Sequence, residues 1–468
     1  MKYRIWLAFL FISGIIYTTN AGNLNKSIKK PTGEILVIQN VNIIDMDNGV
    51  VVKKSDILIS ENKILKVGQN LEVPESAQTL NLDGRYVIPA LFDMHTHIST
   101  ENPWHEYHLA LYRYFGIHAV NVTAGSDELK KLKTNNEKGV RKFILPEIYL
   151  ASELIDGDPP LWGDDHNGPI LTDTEVVEPT LLNLKEKGYK DIKIYNQLQE
   201  DVYLKMLETA EKLDLRVIGH VPYSLSLAKR LDFRHQRIDH LDGYLEVAYE
   251  GNQDVLQTPG IQRPKLLADG FDEDKMIEAA QRTAKRGIWN SPTHVLFSSL
   301  TDSTYVDEVM NGEISKWLDP TLQKHWRGVV ENENSMPHLR SEKYRDIHRN
   351  MISILHNSGA KLLAGTDAPQ PVLLYGHSLH KELQYFVEAG LTPYEALKTA
   401  TVNPAEFLGL DDQGKIKKGY LAEMVILKEN PLTDIQNTLS IEGYVSANNY
   451  MDKQKMKELL ISIKEKIN

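Results

Sequence analysis

The 468-residue chain contains no cysteine. Disulfides and thiolate metal sites are therefore excluded, and any metal must rest on His, Asp, Glu or a modified Lys. A basic excess is missing as well: 64 acidic residues outnumber 53 Lys and Arg, for a formal net charge of -11. Nucleic acids and anionic membranes both want basic patches, and none stands out along the chain. Long apolar runs are scarce. The clearest is Ile5 to Tyr17, preceded by Lys2 and Arg4 and followed by Thr19-Asn20-Ala21. It falls short of the roughly 20 residues a spanning helix needs. A charged start, a short apolar core and small residues read as a secretory signal peptide over 1–21, with a mature chain from Gly22 and no stable membrane insertion after cleavage. No cysteine follows Ala21, which excludes lipid attachment there. Export without disulfides suits a periplasmic or secreted protein.

Apolar residues at 41% and charged residues at 25% are ordinary for a soluble globular protein with ample core. The length exceeds one ordinary domain, and a (β/α)8 barrel takes about 250 residues, so one barrel plus a smaller domain fits. Short apolar strands alternate with helical stretches through the middle of the chain, the pattern of parallel βαβ units in an α/β protein. Strands are expected near 87–97, 117–123, 146–151, 190–195, 216–220, 237–241, 288–293 and 362–367. Eight such strands predict a (β/α)8 TIM barrel over 87–410. Two distant segments read as strands without helices between them: Ile35 to Val67, with turn signals at Asp47-Asn48-Gly49 and Glu61-Asn62, and Gly414 to Glu429. They predict a small composite β-sandwich domain built from 22–86 and 411–450. Thr392-Pro393-Tyr394-Glu395 has the cap, Pro and acid of a helix start. The Gly-, Pro- and Asp-rich stretch from Ser152 to Thr172 reads as a loop over the barrel mouth, and 451–468 as an amphipathic C-terminal helix docked on the surface.

The candidate chemistry sits at the ends of these strands. In Asp93-Met94-His95-Thr96-His97 the two histidines lie at i and i+2, so a strand turns them to one face. Lys193 ends Asp191-Ile192-Lys193 and shares its face with Asp191 and Tyr195. His220 follows Val217-Ile218-Gly219, His240 follows Ile238-Asp239, and Asp367 closes Leu362-Leu363-Ala364-Gly365-Thr366. Active sites of barrels are built at that end of the strands. A single such His is more often a packed or surface residue; it is the shared placement of all six that points to a metal-dependent hydrolase. His220 and His240 offer neutral nitrogen donors suited to zinc-like metals. On spacing alone Lys193 is equally a buried lysine paired with an acid, and Asp367 is also placed to cap a helix. Burial beside two cations would lower the Lys193 pKa and allow the neutral amine to add carbon dioxide, giving a carbamate ligand. His235, ahead of its strand, reads as solvated or capping.

These residues resemble the metal-dependent amidohydrolase superfamily, nearest to its imidazolonepropionase-like and prolidase-like branch. The segment from Gly84 to His97 is similar to its first-strand signature, with Ala90 where Gly is more usual. Ile218-Gly219-His220-Val221-Pro222, Ile238-Asp239-His240-Leu241 and Ala364-Gly365-Thr366-Asp367-Ala368 are similar to its fifth, sixth and eighth strand motifs. Tyr420-Leu421-Ala422-Glu423-Met424 departs from an Asp-Ala-Asp stretch, away from the catalytic end. The resemblance implies that His95, His97 and Asp367 hold one divalent metal and His220 and His240 another, both expected to be Zn2+, bridged by carboxylated Lys193 and a hydroxide. It implies hydrolysis of an amide or related bond, with Asp367 as the catalytic proton shuttle. By formal counting such a site keeps roughly one positive charge, which suits an acyl group beside a carboxylate.

A small-molecule substrate is therefore expected, with dipeptides or N-acyl amino acids foremost and cyclic amides or lactones as the alternative. A homo-oligomer is compatible with the sequence. Tyr223, His377 and His380 are weaker candidates for substrate contact, as are Trp162 and His166 on the long loop. A solvated helix start is the plainer reading of His377 and His380. A catalytically silent binding barrel would be expected to have lost a ligand, and a mononuclear site would leave Lys193 an ordinary amine.

Overall fold

The computed structural model describes residues 35–137, 145–224, 226–233, 236–257, 263–446 and 448–467. The expected signal peptide and His235 lie outside the described residues. The fold is mixed α/β. Strands β1 (Ile35–Asp45), β2 (Val50–Ser60), β3 (Lys63–Gly68), β4 (Gln78–Asn81) and β5 (Tyr86–Pro89) come from the N-terminal part. The middle supplies β6 (Leu91–Thr96), β7 (Ile117–Val122), β8 (Glu147–Leu150), β9 (Asp191–Ile194) and β10 (Arg216–Gly219), then β11 (Gln236–Asp239), β12 (Trp289–Ser291) and β13 (Lys361–Leu362). The C-terminal part adds β14 (Glu423–Leu427), β15 (Ile441–Ser446) and β16 (Asn449–Asp452).

Early and late segments meet in one sheet, ordered β16-β15-β14-β5-β1-β2-β3, with β4 beside β1. Its far edge curls back: β3 pairs at Lys63 with Leu421, just ahead of β14, and Ile64 N–H donates to the Tyr420 carbonyl at 2.9 Å. Alternation along the strands turns Leu36, Ile38, Ile57, Ile59, Val87, Met424 and Ile426 into one buried cluster inside this roll. Hydrogen bonding thus runs through a single rolled sheet where two packed sheets were expected. The first expected barrel strand, 87–97, is divided at Ala90, because β5 pairs with β14 and β1 while β6 pairs with β7.

The middle strands form two all-parallel sheets, β6-β7-β8 and β9-β10-β11-β12-β13. Single parallel bridges join them at both edges, Ala151 to Asp191 and Thr96 to Ala368. The eighth strand is regular only over Lys361–Leu362. Leu363 N–H still donates to the Asn290 carbonyl of β12 at 2.8 Å, and the chain then joins β6, with Met94 N–H on the Ala364 carbonyl at 2.9 Å and Asp367 N–H on the His95 carbonyl at 2.7 Å. Helices follow most strands. The helix Pro393–Thr399 begins with a reciprocal cap: the Thr392 hydroxyl accepts from Glu395 N–H at 3.3 Å, and Glu395 accepts from Thr392 N–H at 2.8 Å. The C-terminal helix Lys453–Glu465 buries Met456, Leu460 and Ile463 and ties Lys453 to the Tyr114 carbonyl. The long loop after β8 runs alongside β9, with Ile155 N–H on the Lys193 carbonyl and Tyr195 N–H on the Ile155 carbonyl. Among the described residues no helix is long and apolar enough to cross a membrane.

Candidate metal centre

The C-terminal ends of the parallel strands carry the chemistry-bearing side chains. His95, the fifth residue of β6, is 1% exposed, and His97 follows the strand and is half-buried. Their ring centroids are 5.5 Å apart. Asp367, on the segment hooked beside β6, brings Oδ1 within 2.9 Å of His97 Nε2 and 3.2 Å of His95 Nε2. His240, just past β11, stands 4.7 Å from the His95 ring, and His220, just past β10, stands 4.8 Å from the His240 ring. The five groups form one continuous row. Ligand atoms of His95, His240 and Asp367 all lie within 4.8 Å of one another.

Glycines make this crowding possible. At Gly219, φ is +113°, and a Cβ there would meet the Ile194 carbonyl at 2.5 Å and Lys193 Cδ at 2.9 Å. A side chain would therefore collide with the strand that carries Lys193.

The histidine rings are pinned by partners outside the row. His220 Nδ1 lies 2.7 Å from Asp242 Oδ2, and His240 Nδ1 lies 2.7 Å from Thr293 Oγ1. The Thr293 hydroxyl itself donates to the Pro292 carbonyl, so its oxygen accepts from His240. Both rings therefore carry hydrogen on Nδ1 and leave Nε2 as a free electron-pair donor, the arrangement a ligating histidine needs. Burial, with positive Lys193 or His95 nearby, holds both imidazoles well below their ordinary pKa. Burial alone would raise Asp367, but His95 and His97 outweigh it and hold the carboxyl well below the usual range.

The residues fit a divalent cation. Asp367 Oδ1 is buried without a hydrogen-bond partner, facing two imidazole nitrogens. Acceptors converging in a dry site require a positive charge among them. His and Asp donors without sulfur suit zinc-like ions.

Lys193 lies fully buried at the end of β9, with Nζ 2.7 Å from Asp239 Oδ2. Burial lowers its pKa while Asp239 opposes the shift. Asp239 also accepts from Arg237 Nε at 2.7 Å, and Arg237 and Lys193 together overcome burial and keep it ionised. Its Oδ2 is 3.3 Å from His95 Nδ1, on the side of that ring away from Asp367.

The weaker candidates divide. His380 is committed elsewhere, with Nδ1 2.8 Å from Thr438 Oγ1 and Nε2 2.9 Å from the Phe115 carbonyl, so it is a structural tie and not a substrate contact. His377 is likewise buried, stacked on Tyr305 and 3.3 Å from Glu308, among helix-packing residues. The helix His377–Glu388 begins buried and not solvated. Tyr223, three residues past His220, is half-buried, with the Arg263 guanidinium 5.5 Å from its ring. Trp162 approaches Tyr195 at 6.2 Å between ring centroids, and Tyr195 meets the His220 ring edge at 4.3 Å. His166 is half-buried on the same loop; its amide donates to the Gly163 carbonyl at 3.1 Å, and its ring nitrogens have no hydrogen-bond partner among the described residues.

Sequence reasoning passed over Asp239, Arg237, Asp242 and Thr293. Arg237 and Asp239 alternate with Ile238, and two charges at i and i+2 inside an apolar strand were a legible sign of an inward-facing pair. Nothing local marked Thr293 or Asp242.

A family model for the amidohydrolase family matches residues 191–446, more than half of the chain. An imidazolonepropionase from Kosmotoga olearia is 23% identical over 389 residues, spanning 82% of this chain and 86% of that protein. The structure of a bottromycin amidohydrolase superposes with a TM-score of 0.71 at 20% identity, covering 93% of this chain and 91% of that one. That of a Xaa-Pro dipeptidase with bound methionine gives 0.66 at 17% identity, covering 89% and 100%. At that identity the two structures speak for the fold. With the family match and the row of strand-end donors, the chain belongs to the amidohydrolase family, enzymes that hydrolyse carbon-nitrogen bonds.

Proposed function

We propose that the chain is a binuclear metal-dependent amidohydrolase acting on dipeptides or N-acyl amino acids. In this reading β6 to β13 close as a (β/α)8 barrel, supported by the parallel bridges at both edges of its two sheets. The observation that carries the function is the continuous row His97, Asp367, His95, His240 and His220, with Lys193 buried next to it. His95, His97 and Asp367 would hold one cation and His220 and His240 the other, with Lys193 as a carbamate between them. When bound, such cations acidify water and polarise a carbonyl under attack.

The side chains contribute the rest. Asp367, ionised at neutral pH, takes a proton from water at its carboxylate and returns it to the leaving amine. Asp242 and Thr293 keep His220 and His240 in the tautomer that leaves Nε2 free. The Tyr195 hydroxyl, raised by burial and by Asp367, keeps its proton and can donate to a substrate oxygen. Tyr223, three residues past His220, and Arg263 against its ring offer further polar groups. Export is part of the proposal, with cleavage after Ala21; N-terminal sequencing of protein recovered outside the cytoplasm tests it.

A panel of dipeptides and N-acyl amino acids, run beside cyclic amides and lactones, tests the substrate class. Release of an amino acid from a linear substrate supports it, whereas turnover of lactones or cyclic amides alone overturns it. The Lys193–Asp239 contact favours a second reading, a mononuclear site in which Lys193 remains an amine.

A further inference from the structure

His240 leaves β11 in a left-handed backbone conformation, φ +59°, and Leu241 follows at φ +55°. Two successive non-glycine residues there are unusual and persist only where surrounding contacts fix them. The His240 amide still joins the sheet, donating to the Ser291 carbonyl at 2.9 Å. Its carbonyl turns away and meets Nε2 of His348, on the helix Glu342–Asn357, at 3.2 Å.

His348 does not stand alone. Its Nδ1 lies 3.0 Å from Nδ1 of His294, the two rings stacking at 5.2 Å and 14°, and His294 Nε2 lies 3.2 Å from Ser298 Oγ. For neutral rings one pattern satisfies every contact. The His240 carbonyl can only accept, so His348 Nε2 donates and its Nδ1 accepts. His294 Nδ1 must then donate, and its Nε2 accepts from the Ser298 hydroxyl. The far end is anchored by Glu382, which accepts from the His294 amide at 2.9 Å and from the Val295 amide at 2.6 Å. All five side chains are buried. Thr293, next to His294, is the residue that accepts from His240 Nδ1. One short segment thus governs both the ring and the main-chain turn of His240.

We propose that His348 and His294, anchored by Glu382, are positioning residues that hold the His240 turn and so aim its Nε2 at the metal position. The inference rests on His240 being a metal ligand, and none of the three residues touches substrate. Outer contacts of this kind tune metal affinity by about 10- to 100-fold.

The test is Zn2+ affinity of the full chain, measured by competition with a chromophoric chelator. His348→Phe keeps a ring without a donor and is expected to bind at least about 10-fold more weakly, while His348→Gln, with an amide N–H near the Nε2 position, recovers most of the loss. Wild-type affinity in His348→Phe overturns the positioning role alone. Absence of Zn2+ binding by the wild type sinks the metal reading itself. A measurement on the unaltered chain covers the case of a variant that fails to fold. Long-range 1H–15N correlation of histidine-labelled protein should show hydrogen on Nε2 of His348 and on Nδ1 of His294, and hydrogen on Nδ1 of His348 would refute the chain of contacts.

Discussion

Lys193 donates to Asp239 across 2.7 Å, with both side chains buried at the end of adjacent-but-one strands β9 and β11. Asp239 also takes Arg237 Nε at 2.7 Å, and Arg237 reaches on to the Met94 carbonyl and to Asn121. One carboxylate therefore neutralises Arg237 and, while Lys193 remains an amine, Lys193 as well, beneath the row of strand-end donors. Asp239→Asn should cost about 3–5 kcal/mol of stability, because it leaves buried charge without a counter-ion. Urea unfolding checks this, and a loss under about 1 kcal/mol would mean that Arg237 and Lys193 find other partners.

Gly365 owes its place to crowding and not to backbone conformation. A Cβ there would fall 2.7 Å from His95 Cβ and from Ser291 Oγ, and 2.9 Å from His95 N. The serine can rotate, but the β6 backbone cannot withdraw without moving His95. Gly365→Ala should therefore destabilise by about 1–3 kcal/mol and also weaken metal retention. A thermal melt with metal content on the same sample checks both, and unchanged retention would show that His95 is not displaced.

Acid should loosen the joint between the small sheet and the parallel strands through Glu423. This first residue of β14 accepts from Arg113 at 2.9 Å and from the Tyr444 hydroxyl at 2.8 Å, with His118 3.3 Å away. Burial alone would raise its carboxyl, but Arg113 and His118 prevail and bring it from 4.5 down to about 2. The folded pKa is the lower one, so the stabilisation is present above pH 4.5 and is lost as pH falls from there toward 2. The full effect is about 3 kcal/mol. Wild type and Glu423→Gln should converge in stability across that window, and parallel curves would disprove the coupling.

Asp367→Asn removes the proposed proton carrier while keeping its shape. The turnover rate should fall by roughly 10²- to 10⁴-fold on whichever substrate the panel reveals, in variant protein shown to retain its metal. Near-normal turnover would assign the shuttle elsewhere.

The clustering of strand-end side chains was more legible in the sequence than the fold around it. Strand-end donors are legible because alternation and apolar runs fix which way a strand residue points, and so His95, His97, Lys193, His220, His240 and Asp367 could be named without coordinates. An apolar run does not say which sheet it joins, which is why Tyr86–Pro89 and Leu91–Thr96 read as one strand. Nor does it show a chain leaving its neighbour, as the segment after Leu363 does when it hooks onto β6. The partners that fix these side chains come from distant segments, Thr293 for the His240 ring and His348 for its carbonyl, and no local spacing links them. His380 shows the reverse: polar by composition, it has both ring nitrogens engaged by Thr438 and the Phe115 carbonyl, in other elements packed against its helix.

The most direct measurement is metal content per chain, by elemental mass spectrometry, of protein purified without chelator, beside Lys193→Ala treated identically. About two equivalents in the wild type, falling to one or fewer in the variant, are expected for a lysine-bridged pair of cations. One equivalent unchanged by the substitution would contradict the bridge and leave Lys193 as the amine paired with Asp239. No metal in either protein would contradict the hydrolytic centre altogether.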